Sequence, residues 1–230
     1  MVLDLQRTIV VTGANKGIGY SIIDKLLCSK NYSKIIMTSR SQERGQQAID
    51  RLKKTHGEKI GEKLFLLDLD LLSKKSIENF SNQLKDQFGS IDCIVHNAGL
   101  LLTDTPTDKE FHLQWTTNYI NTRYLTEKIL EEKILKKSGK IIFISSGYGC
   151  IERIKESKPL FYKRLINFKS LTIQQIDKIW EEYKNEYLSD QETRNGWGTD
   201  YSSVYSHTKL FLNVYCYALA HSTDVLENEI

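Results

Sequence analysis

Gly13, Gly17 and Gly19 lie in the run Thr12-Gly13-Ala14-Asn15-Lys16-Gly17-Ile18-Gly19, between a β-branched segment from Thr8 to Val11 and a helix-spaced set, Tyr20, Ile22, Ile23, Leu26 and Leu27. Glycines at a strand-to-helix turn let the backbone approach a pyrophosphate, and the free N–H groups and positive dipole end of the helix favour its charge. The spacing is Gly-x-x-x-Gly-x-Gly rather than Gly-x-Gly-x-x-Gly, so the flanking strand and helix carry the dinucleotide reading more than the glycines do. Arg40 stands just past a second apolar run, about where an NAD site carries Asp or Glu for the ribose 2′-hydroxyl, and neither Thr38 nor Ser39 is acidic. A guanidinium there, with Lys16 in the turn, would neutralise a 2′-phosphate, so the expected cofactor is NADP(H). The plainer alternative is two solvated surface cations.

Tyr205 and Lys209 are four residues apart and share a helical face. With 12 tyrosines in the chain, chance supplies about one such pair, and Tyr124 with Lys128 is a second. Order along the chain selects Tyr205, because it follows the fifth strand and its terminal Ser145-Ser146, whereas Tyr124 precedes that strand on a helix expected to pack on the sheet. His96 and His207 read as structural. Cys28, Cys93, Cys150 and Cys216 are far apart, with no Cys-x-x-Cys pair and no histidine at ligand spacing, so reduced thiols are expected and no metal site.

The elements that would position these residues alternate. Apolar strands are read at 8–11, 34–39, 63–67, 91–96 and 140–145, and helices at 20–27, 41–54, 73–88 and 118–137, with Gly139 breaking the last. Ser73 and Ser76 are candidate caps of the 73–88 helix. Such units imply a doubly wound parallel sheet, an α/β Rossmann-type three-layer αβα fold with right-handed crossovers. Residues 147–200 depart from the rhythm as a charged insertion with a helix over 172–187, and a last helix covers 201–221.

The 230 residues suit one domain, 1–230, with a sizeable core. A formal charge of +3, from 32 basic and 29 acidic residues spread along the chain, gives no case for nucleic acid. No apolar run approaches membrane-spanning length and the first strand begins within ten residues of Met1, so a cytoplasmic protein without membrane partners is expected.

The chain resembles the short-chain dehydrogenase/reductase family through Thr12-Gly13-x-x-x-Gly17-Ile18-Gly19, Asp68-Leu69, Asn97-Ala98-Gly99, Asn118, Ser145-Ser146 and Tyr205-x-x-x-Lys209, in the family's order. Asn15-Lys16, Arg40 and the insertion before Tyr205 are most similar to the monomeric, NADPH-dependent carbonyl reductases. The resemblance implies that Tyr205 protonates a ketone or aldehyde oxygen as the nicotinamide delivers hydride to carbon. It implies that Lys209 favours the phenolate and binds the nicotinamide ribose, that Ser146 hydrogen-bonds the substrate oxygen, and that Asn118 holds a water linking Lys209 to solvent. Asp68 would accept from the adenine amino group, Leu69 would line the adenine pocket, and Asn97, Ala98 and Gly99 would wall the cofactor cleft. Trp197 would be part of the substrate pocket or a loop anchor. Taken alone, Asn118 reads as a helix cap and Asp68 as a turn residue.

Reductases of this group continue past the tyrosine helix with two more strands and a Pro-Gly loop, whereas both prolines of this chain, Pro106 and Pro159, precede Tyr205. The fifth strand is therefore expected to be an apolar edge. A truncated sequence, a shortened NADP-binding protein, and a partner that completes the sheet are the competing accounts, in that order. The leading function is NADPH-dependent reduction of aldehydes, ketones or quinones by a monomer. The rival is a catalytically impaired NADP-binding or interaction protein. A third reading, the NAD-dependent sugar epimerases, is disfavoured by the glycine spacing.

Overall fold

The computed structural model describes residues 7–102, 107–155, 159–189 and 201–222. Within them the chain forms two compact units, residues 7–98 with 121–144 and residues 99–120 with 145–222.

The first unit is built on β1 (Thr8–Val11), β2 (Lys34–Ser39), β3 (Leu64–Asp68), β4 (Ile91–His96) and β5 (Leu135–Phe143), all parallel, in the order β3-β2-β1-β4-β5. Period-two alternation splits the strands between two cores. Ile9, Val11, Ile35 and Met37 face α1 (Gly17–Cys28) and α2 (Gln42–His56), burying Ile23, Leu27 and Leu52. Val10, Ile36 and Ile94 face α3 (Lys74–Phe88) and α5 (Asn121–Glu131), burying Ile77, Phe80, Leu84, Leu125 and Ile129. Each such side chain contributes about 1.5–3 kcal/mol on burial. The sheet is thus covered on both faces, the doubly wound Rossmann arrangement that the strand-helix rhythm implies.

Ser41 and Ser73 cap α2 and α3, accepting from the Arg44 and Ser76 backbone N–H groups. Ser76 is no cap. Its hydroxyl accepts from Asp70 N at 3.0 Å and steadies the preceding turn.

One boundary expectation fails. The helix read over 118–137 begins at Asp108 and ends at Glu131, and the following strand starts at Leu135 rather than Lys140. Lys133, at φ 54°, turns the chain, and Ile91 N donates to Ile134 O at 2.8 Å. Leu135 pairs with Ile91, then the register slips so that Lys140 pairs with Cys93, with Ser138 at φ 61° in the irregular stretch. Gly139 breaks no helix. A Cβ there would lie 2.8 Å from the Leu135 side chain, so close approach within the strand selects glycine. Lys136 and Lys137 have good helix propensity, and the pairing of Leu135 and Lys140 on either side of them overrides it.

Among the described residues β5 is an edge strand, and Ile142 on it is 42% exposed. Lys137 and Lys140 are exposed on the same strand, charges of the kind that discourage edge pairing.

The second unit is helical: α4 (Asp108–Trp115) running into a π turn at Thr116–Ile120, then α6 (Pro159–Leu165), α7 (Ile173–Ser189) and α8 (Tyr201–Ala220). The sequence reading missed α4 although its capping box is explicit: Thr107 N donates to Glu110 Oε2 at 2.8 Å while Glu110 N donates to Thr107 Oγ1 at 3.3 Å. Aromatic rings make this unit's core, with Phe111 stacked on Tyr187 (centroids 4.4 Å), Trp115 tilted against Trp180 (4.0 Å), and Phe211 edge-on to Trp115 (5.3 Å). Among the described residues no helix is long and apolar enough to cross a membrane. Trp197 and Pro106 lie outside the described residues.

Candidate active site

At the carboxyl end of β1 the glycine turn is fixed by two hydroxyls, those of Thr12 and Thr38. Thr12 Oγ1 accepts from both Asn97 N and Ala98 N at 3.0 Å, tying the turn to the chain leaving β4. Asn97 Nδ2 donates back to Thr12 O at 2.9 Å and Gly13 O at 3.2 Å. On the other side Gly13 N donates to Thr38 Oγ1 at 3.2 Å and Ala14 N to Thr38 O at 2.9 Å.

The glycines are required for different reasons. Gly13 and Gly17 have φ of 62° and 58°, the left-handed region, and a Cβ on Gly13 would come within 2.9 Å of Ala98. Gly19 is needed for packing, since a Cβ would collide with Asn97 Nδ2 and sit 2.8 Å from Gly13 O. Lys16 is the N-cap of α1 but gives no side-chain cap hydrogen bond, so no side chain of the cap satisfies the first N–H groups. A backbone cradle with these donors at a β1/β4 switch point fits a dinucleotide phosphate.

Asn15, Lys16, Gly17 and Ile18 line the rim, Lys16 and Gly17 exposed and Ile18 64% exposed. Arg51 was not read from the sequence, yet its guanidinium donates to Asn15 O at 3.2 Å and lies over the Tyr20 ring at 5.3 Å. No sequence signal marks it, because the contact joins α2 to the turn across 36 residues. Arg40 is exposed beyond β2, and the register of β2 and β3 sets Ser39 opposite Asp68. Leu69 N donates to Ser39 O at 3.1 Å, which buries Leu69 beside the Arg40 strand end.

In the second unit the π turn carries Asn118. Its Oδ1 accepts from Leu100 N at 2.7 Å, and its Nδ2 donates to Leu100 O at 2.8 Å and to Thr208 Oγ1 at 3.1 Å. Thr208 in turn donates to Tyr205 O at 2.7 Å, so the amide anchors the part of α8 that carries Tyr205 and Lys209. Thr208 is a residue the sequence reading passed over. Asn118 is no helix cap here, because the helical chain runs through it.

Lys209 is 4% exposed, with its ammonium 5.7 Å from the centroid of the Tyr205 ring. Burial disfavours the charge and brings the ammonium pKa down to about 8. Ser146 Oγ accepts from Tyr148 N at 3.1 Å, and the Tyr148 ring meets the Tyr205 ring edge-on at 6.2 Å. The short turn Gly147–Gly149 packs on α8: a Cβ at Gly149 would come within 2.9 Å of Lys209 backbone, and Asn213 Nδ2 donates to Gly149 O at 3.2 Å. Ser145 Oγ is buried and has no hydrogen-bond partner among the described residues. The unit therefore gathers Asn118, Ser146, Tyr205 and Lys209 through Thr208, Tyr148 and Gly149. Gly99 is exposed in the same unit.

The histidines are placed elsewhere. His207 Nδ1 and the Tyr183 hydroxyl are 3.0 Å apart in the aromatic core, where burial pushes the Tyr183 phenol well up. His96 is buried beneath Phe143, and burial brings its pKa down to about 3. Thr126 Oγ1 donates to Thr122 O at 2.9 Å and has one hydrogen, so at 3.0 Å it accepts from His96 Nε2–H.

Residues 7–158 match the family model described as short chain dehydrogenase. Among relatives, short-chain dehydrogenase/reductase 1 of Saponaria officinalis is 28% identical, covering 94% of this chain and 76% of its own. Carbonyl reductase (NADPH) 3 of Mus musculus is 30% identical, covering 95% and 75%. Among solved structures, the menthone neomenthol reductase from Mentha piperita is 25% identical and superposes with a TM-score of 0.79 over 94% of this chain and 85% of that one.

Proposed function

The chain belongs to the short-chain dehydrogenase/reductase family, and from that premise we propose that it reduces aldehydes, ketones or quinones with NADPH, as a monomeric cytoplasmic enzyme. Residues 1–230 would serve as one cofactor-binding domain with an insertion at about 147–200. The supporting observation is the buried Lys209 beside the ring of Tyr205. A phenol ordinarily keeps its proton to about pH 10, and an ammonium a few ångströms away favours the phenolate.

When bound, NADPH supplies the hydride. Tyr205 donates its proton to the carbonyl oxygen, and Lys209 stabilises the phenolate left behind. Ser146 Oγ accepts from Tyr148 N, which leaves its own O–H to donate to the substrate oxygen. Asn118 has both amide hydrogens committed, so a water relaying protons to Lys209 would meet an oxygen of this residue, not its amide N–H. Tyr183 is the weaker proton donor, since burial holds its phenol protonated and it pairs with His207.

Gly13, Asn15, Lys16, Gly17, Ile18 and Gly19 would hold the pyrophosphate, and Lys16 with Arg40 the 2′-phosphate. Asp68 and Leu69 would take the adenine, Asn97, Ala98 and Gly99 would wall the cleft, and Tyr205 with Lys209 would hold the nicotinamide ribose. The NADPH named for the mouse relative agrees with this choice.

Consumption of NADPH and of NADH with a quinone and an aromatic aldehyde tests the reading. NADPH turnover should vanish in Tyr205→Phe, and Arg40→Asp should move the preference toward NADH. A folded chain that binds NADPH without turnover would overturn the enzyme and leave a nucleotide-binding protein.

A further inference from the structure

We propose that Cys28 is a reactive thiol, activated by a His56–Asp24 pair, that forms mixed disulfides with low-molecular-weight disulfides. The inference goes beyond the reductase reading and rests on none of its residues. Cys28 is the exposed last residue of α1, and His56 is the last residue of α2. Cys28 Sγ lies 4.0 Å from His56 Nδ1, and His56 Nε2 lies 2.8 Å from Asp24 Oδ1, one turn back on α1.

The carboxylate settles the tautomer. Asp24 can only accept, so a neutral His56 carries its hydrogen on Nε2 and presents the bare Nδ1 to the thiol. This is a nucleophile beside a base that a third group orients. The thiol also donates to Asp24 O at 3.6 Å, which holds Sγ beside the imidazole, and its single hydrogen leaves that carbonyl when it passes to Nδ1. The Lys63 ammonium, donating to Leu27 O at 2.6 Å, places positive charge at that helix end.

The other three cysteines lack this arrangement. Cys93 is buried, and burial raises its thiol to about 11. Cys216 is also pushed up by burial. Cys150 Sγ donates to Glu152 Oε2 at 3.2 Å, which sets a negative charge beside any thiolate formed there. Cys28 alone of the four has an imidazole as acceptor.

In the step, the Sγ proton passes to His56 Nδ1. The thiolate attacks one sulfur of the disulfide, a new S–S bond forms, the old S–S bond breaks, and its electron pair leaves on the second sulfur as a thiolate. No other oxidant is required, because the disulfide is reduced as Cys28 is oxidised.

The test treats the intact chain with an aromatic disulfide at neutral pH, follows the released thiolate, and locates the label by peptide mass mapping, with glutathione disulfide as a second probe. Cys28 should label first, and Cys28→Ser should lose the fast phase. His56→Asn should slow Cys28 about tenfold or more relative to Cys150 in the same molecule. Cys28 is already exposed, so mere loosening of the fold would not slow it, and the slowing separates base from scaffold. If His56→Asn does not fold, Asp24→Ala keeps the imidazole but removes the carboxylate that orients it, and the same slowing is expected. Equal labelling of Cys28 and Cys150, or no slowing in either variant, would overturn the proposal. Cys28 lies about 17 Å along α1 from Gly17, so NADPH binding by Cys28→Ser should be unchanged.

Discussion

Lys209 holds its ammonium 5.7 Å from the centre of the Tyr205 ring from a position that is 4% exposed. Burial lowers its pKa from 10.5 to about 8. The unfolded chain therefore binds the extra proton between those values, and stability rises as pH climbs from about 8 to 10.5. Below pH 8 the buried charge costs up to about 3 kcal/mol. Lys209→Met should abolish turnover, stabilise the fold near neutral pH, and flatten the alkaline rise in urea midpoint. Turnover of the unaltered chain should fall as pH passes about 8 and the ammonium is lost.

Asn118, itself buried, makes three hydrogen bonds to Leu100 and Thr208. Removing them strands backbone groups of Leu100, and Asn118→Ala should cost about 2–4 kcal/mol in chemical denaturation. Asn118→Asp should fare no better, because a carboxylate meets Leu100 O and has no hydrogen to give it.

These two residues also show what the sequence could disclose. Tyr205-x-x-x-Lys209 is a spacing on one helix face, so it is visible in one dimension. The clamp that holds it, Asn118 to Thr208, spans 90 residues and a π turn that no apolar period announces. Likewise the five strands were legible from their apolar runs. The start of β5 was not, because Leu135 pairs with Ile91 against the helix propensity of Lys136 and Lys137. The glycine turn was legible as a motif, whereas its dependence on Thr12, Thr38 and Arg51 appears only in three dimensions.

Glycines offer a graded test of the turn. Gly13→Ala meets both a positive φ and Ala98 at 2.9 Å, and Gly19→Ala meets Asn97. Each should lower stability by about 1–3 kcal/mol and weaken NADPH binding in a fluorescence titration. Gly61, with open space around its would-be Cβ, is the control, and Gly61→Ala should be neutral or slightly stabilising.

His96 gives the acid limb. Its pKa is about 3 in the fold against an ordinary 6.5, through burial. The unfolded chain takes up the proton first, so the full stability holds above pH 6.5 and falls progressively toward pH 3. By pH 5 the loss is about 2 kcal/mol. Urea midpoints at neutral pH and at pH 5 should differ less in His96→Gln, whose amide can still donate to Thr126.

The indoles of Trp115 and Trp180, 4.0 Å apart at an interplanar angle of 36°, are close and tilted enough for their electronic transitions to couple. Such a chiral pair gives a paired-sign far-ultraviolet circular dichroism band, from the intense indole transition, that neither indole produces alone. Because one partner rides on α4 and the other on α7, that band is a built-in optical gauge of α7, able to follow its docking on α4 in real time with no label attached.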